Sequence, residues 1–314
     1  MKDKLTTGYN YEVQRSLTTA KNIRDAIEIT VLNYFRDQLG LSEQFCRERT
    51  ALEEKRAIPK AVLNQLRRIG WELENKRVLD VGAGQGGLIL ELLEQKADAY
   101  GVEPGREFAS LARMRLTAAG HDPGRVYVGG GESLPFPNDA FDYVISLQVL
   151  EHVPDPAALL REIFRVLRPL GQCQLSFDNY LAFREPHYRV AWLPLMPKVV
   201  GSLYLRMRGR NPKFLADHVY YRTYPEIYRI CSAVGFANLA CDRWLNKLEE
   251  PTQIRTRYLR IMAYFLRCLP KPIAKGIIRG FMHSENLMKS DVSVVLQKPT
   301  LNTQLPARKT GVGM

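Results

Sequence analysis

Residues 78–87 read Val-Leu-Asp-Val-Gly-Ala-Gly-Gln-Gly-Gly, an apolar run ending in glycines that leads into the helical run of residues 88–93. A strand, a glycine turn and a helix in that order let the backbone approach a ligand closely, with helix N-terminal amides aimed at it. Gly82, Gly84 and Gly86 satisfy G-x-G-x-G, while Gly82, Gly84 and Gly87 satisfy the dinucleotide pattern G-x-G-x-x-G. The glycines therefore leave two cofactor classes open. Glu103 closes the next strand, where an acid can accept hydrogen bonds from two ribose hydroxyls in either class. Asp80, just before the loop, would oppose a pyrophosphate but suits a cationic amino acid moiety. Loop and acid together predict an adenosine-containing cofactor.

What separates the classes lies further on. Residues 131–142, Gly-Glu-Ser-Leu-Pro-Phe-Pro-Asn-Asp-Ala-Phe-Asp, lead into a fourth strand, and residues 148–156, Gln-Val-Leu-Glu-His-Val-Pro-Asp-Pro, follow it. With these motifs in order, the sequence resembles a class I S-adenosylmethionine-dependent methyltransferase. The nearest likeness is to the family that includes quinone-biosynthesis C-methyltransferases and many small-molecule and glycan methyltransferases. It covers residues 77–180 tightly and 223–244 loosely. The resemblance implies S-adenosyl-L-methionine as cofactor, with the loop of Asp80, Gly82, Gly84 and Gly86 at its methionine part and Glu103 at its ribose. Residues 129–134, with Glu132 and Ser133, would lie along the adenine, and Gln148 with Val149 beneath the sulfonium. One departure matters: relatives usually carry Asp where this chain has Gly130, so either Glu132 or a backbone carbonyl must serve the adenine amino group, or the adenine is held more loosely.

A sulfonium is already electrophilic, so alignment of the acceptor in a dry site supplies most of the catalysis. A base helps only if the acceptor arrives protonated. His152 is the natural candidate, because histidine titrates near neutrality and this one follows the fourth strand. The competing reading is a residue that shapes its loop. His187 and Tyr188, after the fifth strand, are the next candidates, and His218 with Tyr220 and Tyr221 a comparable group. No His, Cys, Asp or Glu spacing suggests a metal site, and no C-x-x-C pair occurs among the five cysteines.

The elements that must hold these residues follow from periodicity. Residues 1–70 read as a helical segment, with Ile23, Ile27 and Val31 at helical spacing and Pro59 in the first turn of a later helix. From Arg77 onward short apolar strands alternate with helices, which indicates a doubly wound, Rossmann-like, mostly parallel sheet of seven strands. Strands over 236–244 and 292–296, the last antiparallel as the resemblance implies, complete a methyltransferase domain spanning 71–298. Residues 299–314 read as a disordered tail.

The 314 residues carry a net charge of +12, unevenly placed. Residues 71–179 sum to −6, while 180–222 and 246–290 each sum to +6. These two basic segments read as helical cap insertions at the ligand-binding edge, rich in arginine and apolar residues together. They fit either a cap over the acceptor or a cap that also touches an anionic membrane surface. The expected acceptor is a small-molecule, glycan or lipid-linked hydroxyl, with a quinone or lipid-like acceptor as the alternative. Nucleic acid is disfavoured, because the fourth strand ends in Ser146-Leu147-Gln148 and not in an Asn/Asp-Pro-Pro-aromatic motif; RNA methylation and an inactive cofactor-binding protein remain the outlying readings. No apolar run is long enough to span a bilayer, and Met1-Lys2-Asp3-Lys4 begins no signal-peptide pattern. The expected location is cytoplasmic, including the inner face of the membrane.

Overall fold

The computed structural model describes residues 20–239 and 263–300. The N-terminal 19 residues, positions 240–262 and positions 301–314 lie outside them, and with them the end of the expected sixth strand, the first part of the second insertion and nearly all of the tail.

The chain begins with α1 (Ile23–Val31), a π-helical turn (Leu32–Gln38), α2 (Glu43–Glu54) and α3 (Ala57–Arg68). The helix expected around Ile23, Ile27 and Val31 thus changes pitch after Val31, a kind of turn that recurs at functional sites. The sheet follows, with β1 (Arg77–Val81), α4 (Gly87–Glu94), β2 (Asp98–Glu103), α5 (Arg106–Ala118), β3 (Val126–Val128), β4 (Phe141–Leu147), α6 (Pro156–Val166) and β5 (Leu167–Asp178). Then come the hairpin β6 (Arg184–Glu185) and β7 (Val190–Ala191), helices α7 (Lys198–Met207), α8 (Lys213–His218) and α9 (Tyr224–Val234), β8 (Ala237–Asn238), α10 (Lys271–Met288) and β9 (Asp291–Gln297).

The seven strands lie in the order β3-β2-β1-β4-β5-β9-β8. The first five are parallel and β9 runs antiparallel to both neighbours. The expected architecture is therefore the observed one. Val78, Leu79 and Val81 of β1 are all buried, as a strand covered on both faces requires. Local chemistry sets the helix starts. Asp155 accepts from the amides of Ala157 and Ala158 with Pro156 in the first turn, and Thr223 with Glu226 forms a capping box on α9, each cap stabilising by about 1 kcal/mol.

The first insertion leaves and rejoins the sheet at one point. The Tyr180 amide donates to the Arg222 carbonyl at 2.8 Å, and the Tyr224 amide donates to Asn179 Oδ1 at 3.1 Å. Asn179 is buried, and its Nδ2 reaches the carbonyls of Asn286, Leu287 and Lys289 at 3.0–3.1 Å. Inside the insertion Tyr188, Trp192, Leu205 and Leu215 form an apolar core of their own with Leu39 and Leu41. No helix among the described residues is long and apolar enough to cross a membrane.

Candidate active site

The glycine turn and Glu103 meet at the carboxyl edge of β1 and β2. The Glu103 carboxylate accepts from the Gly84 and Gly105 amides, both at 2.8 Å, so it is clamped between two turns. Asp80 lies close behind. Burial, reinforced by the Glu103 charge, pushes Asp80 up to about 7. Burial also pushes Glu103 up to about 7, against the two amides that favour its ionised form. Neither acid has an ion-pair partner among the described residues. Two buried acids without a cation are an environment that a cationic ligand neutralises, and a ribose can use the Glu103 oxygens.

The glycines divide by role. Gly84 has φ +51° and nothing within 4 Å of where a Cβ would stand, so the turn stays open there. At Gly82 a Cβ would lie 2.4 Å from Val149 Cγ2, which puts the Val149 side chain against the loop. Gly86 lets α4 approach α5, since a Cβ there would meet Ala112 Cβ at 2.6 Å. The structure thus gives Gly86 a packing task. Gln148 adopts φ +56° and donates from its side chain to Asp291 Oδ1 at 2.9 Å. Of the pair expected beneath the sulfonium, Val149 touches the loop while the Gln148 amide is turned to β9. Glu132 curls back over Gly130, where a Cβ would lie 2.9 Å from Glu132 Oε2. Its carboxylate therefore occupies the space left by the missing Asp. Ser133 is exposed.

At the ends of β4 and β5 a second cluster forms. His152 Nδ1 lies 2.8 Å from the His218 carbonyl, which can only accept, so Nδ1 carries the hydrogen and Nε2 the lone pair. His187 Nε2 lies 3.4 Å from His152 Nε2, and His187 Nδ1 lies 3.0 Å from Glu185 Oε1 and 3.5 Å from Asp178 Oδ2. Burial, then the His187 charge, pulls His152 down to about 4. Burial also opposes a charge on His187, but its hydrogen bond to Glu185 and the charges of Glu185, Asp178 and Glu151 raise it to about 9. Burial pushes the carboxyls of Glu151 and Asp178 upward.

Tyr188 is not part of this cluster. Its hydroxyl donates to the Asn211 carbonyl at 2.7 Å and accepts from the Leu215 amide at 3.2 Å, so it is occupied in holding the hairpin to α8. The expectation of a catalytic His187–Tyr188 pair gives way to a His152–His187 pair with Tyr188 as a buried pin. His218 enters through its carbonyl. Glu151, His152 and His187 also place three metal-ligand-type atoms within 4.8 Å of one another, a donor set able to hold a divalent metal. Both carboxylate oxygens of Glu151 lack a hydrogen-bond donor among the described residues. Sequence spacing missed this group because it closes only through the insertion.

Three further residues escaped the sequence reading. Buried Glu185 accepts from the Tyr180 hydroxyl at 2.9 Å and the Tyr188 amide at 2.6 Å while holding His187. Buried Arg222 binds the carbonyls of Leu150, Val153 and Pro154, fixing the loop that carries His152. Phe214 packs its ring 5.6 Å from His152 and 5.4 Å from His187. Only the nearness of Glu185 to the candidate His187 in the sequence hinted at any of them.

Residues 79–175 match the family described as methyltransferase domain. This segment is a class I methyltransferase domain. S-adenosyl-L-methionine is the methyl donor used by that class, and the acids of the glycine turn fit it. The chain is 32% identical over 163 residues to a ubiquinone biosynthesis O-methyltransferase of Aeromonas salmonicida, across 52% of this chain and 63% of that protein. It is 33% identical over 138 residues to an uncharacterized methyltransferase of Mycobacterium sp. (strain KMS), across 44% and 53%. The methyltransferase domain thus meets these relatives over little more than half of their length. Among solved structures, a Haemonchus contortus phosphoethanolamine N-methyltransferase 2 in complex with S-adenosyl-L-methionine overlays at a TM-score of 0.48 and 18% identity, over 93% of this chain and 60% of that one.

Proposed function

We propose that the protein transfers the methyl group of S-adenosyl-L-methionine to a hydroxyl of a small-molecule, glycan or lipid-linked acceptor held over the His152–His187 pair. The observation that carries this reading is the pair of buried acids, Asp80 and Glu103, facing the glycine turn without a cation among the described residues. When bound, the cofactor supplies a methyl group on a positively charged sulfur. Asp80 would face its amino acid part, Glu103 its ribose hydroxyls and Glu132 its adenine side, while Val149 closes the loop below. His152 stays neutral, and its Nε2 would take the acceptor proton once the acceptor hydroxyl displaces His187 Nε2 from it. His187, Glu185 and Asp178 hold that ring in place, and Phe214 keeps water from it.

A quinone or other lipid-like acceptor, methylated at oxygen or carbon, is the second reading. The relative named as a ubiquinone biosynthesis O-methyltransferase favours it. The basic insertions support action at the inner face of a membrane. Calorimetry with S-adenosylhomocysteine tests the donor site: binding that Glu103→Ala weakens about tenfold or more supports it, and no binding refutes it. Supplying labelled S-adenosylmethionine to a cell extract tests the acceptor. Label in lipid, polysaccharide or small-molecule fractions supports the reading, and label confined to RNA overturns it.

A further inference from the structure

α7 is apolar on both of its faces. Inward, Leu205 is fully buried and Gly201 meets Trp192, where a Cβ would stand 2.5 Å from ring Cη2. Outward, Val199 is 83% exposed, Val200 53%, Leu203 59% and Met207 79%. At about 100° per residue these four span less than a third of the helix circumference, opposite Gly201 and Leu205. Leu193 and Leu195, 64% and 50% exposed, precede the same helix. Single exposed apolar residues need no account, but a cluster on one short segment marks a surface that is covered in use.

Charge identifies what covers it. Arg206 lies on the same face as Val199, seven residues earlier, and Arg208 follows Met207; both are exposed and form no ion pair among the described residues. The insertion that carries them sums to +6. A symmetric pairing of two copies through α7 would bring two insertions of +6 each together. An anionic bilayer accepts both features, with arginines at the headgroups and valine, leucine and methionine at the acyl boundary.

The same helix roofs the site. Leu215 of α8 lies against Gly201, with its Cδ2 3.4 Å from where a Cβ would stand, and Lys198 Nζ donates to the Ala216 carbonyl at 3.1 Å. Beside Leu215, Phe214 covers the two histidines. Helix α8 therefore lies between α7 and the proposed acceptor position.

We infer that α7 is the element by which the protein lies on an anionic membrane surface, so that a lipid-linked acceptor reaches His152 from the bilayer side. This rests on the methyltransferase reading proposed above. The test is sedimentation of the full chain with vesicles of phosphatidylcholine alone and of phosphatidylcholine containing one-third phosphatidylglycerol (an order-of-magnitude mixture for a surface potential of physiological size). The expected result is binding to the anionic vesicles only, lost at high salt. Combined Val199→Ser, Leu203→Ser and Met207→Ser, and separately Arg206→Glu with Arg208→Glu, should each weaken binding about tenfold or more. Both variants should bind S-adenosylhomocysteine as the unaltered protein does, which separates loss of the surface from loss of the fold. Failure of the unaltered chain to bind S-adenosylhomocysteine would sink the donor reading and leave the vesicle result standing by itself. The inference is overturned by equal binding to neutral vesicles, by no binding to either, by variants that bind undiminished, or by a dimer that the serine variant converts to monomer.

Discussion

His152 and His187 place their Nε2 atoms 3.4 Å apart with opposite protonation tendencies, one ring pulled down to about 4 and the other raised to about 9. The difference comes from the far sides of the rings. A carbonyl holds His152 Nδ1, whereas Glu185 and Asp178 face His187 Nδ1.

His152→Gln should lower the methyl-transfer rate by about 100-fold or more, in the range for loss of a positioned base. S-adenosylhomocysteine affinity should stay within about twofold, because His152 is outside the glycine turn. Steady-state kinetics beside calorimetry checks this. An unchanged rate would return His152 to the role of a loop-shaping residue.

Donor binding should depend on pH through Asp80 and Glu103. Both carboxyls are raised to about 7 by burial, so in the free protein they hold protons that the unfolded chain has released above about 4. Their contribution to stability therefore falls as pH rises from about 4 to about 7. A cationic ligand favours the ionised forms and releases protons on binding. S-adenosylmethionine should accordingly bind more weakly at pH 6 than at pH 8, and its thermal stabilisation should be larger at pH 8. Calorimetry in buffers of different ionisation enthalpy reads the proton release; none detected would disprove the assignment.

Glu132 turns its carboxylate over Gly130, the position where relatives usually carry Asp. Glu132→Ala should weaken S-adenosylhomocysteine binding about tenfold, the scale of a hydrogen bond to a charged group. Adding Gly130→Asp to that variant should restore it, since the colliding carboxylate is gone. Equal affinity in all three proteins would show that the adenine contacts neither residue.

Tyr188→Phe separates a structural tyrosine from a catalytic one. Removing the hydroxyl leaves the Leu215 amide and the Asn211 carbonyl without their partner, at a cost of about 1–3 kcal/mol. The melting temperature should fall by a few degrees while the rate stays within a factor of about three. A rate loss of about 100-fold with normal melting would place Tyr188 back in the chemistry.

The grouping of the proposed donor half was legible because it is local. Asp80, the glycine turn and Glu103 occupy consecutive elements, and the alternation of strands and helices fixes which edge they share. The acceptor half was not, because its contacts close over long separations. His187 finds His152 only once the insertion folds back over β4 and β5, and Glu185, Arg222 and Phe214 have no pattern near a motif. Gly86 and Tyr188 also have contacts that no motif signals. Residue type suggested chemistry, and only the fold shows Ala112, Asn211 and Leu215 packed around them. The change of pitch after Val31 had no sequence signal at all.

The insertion's two ends are clasped at Asn179 and Arg222, so the segment between them can vary in length and composition without disturbing β4, β5 or the glycine turn. Closely held ends make such a segment interchangeable, as surface loops with neighbouring termini tolerate replacement. A lineage could therefore exchange one acceptor for another by swapping this cassette. It would need to keep the two clasp residues, a histidine able to meet His152 with an acid to hold it, and the apolar face against Leu39 and Leu41.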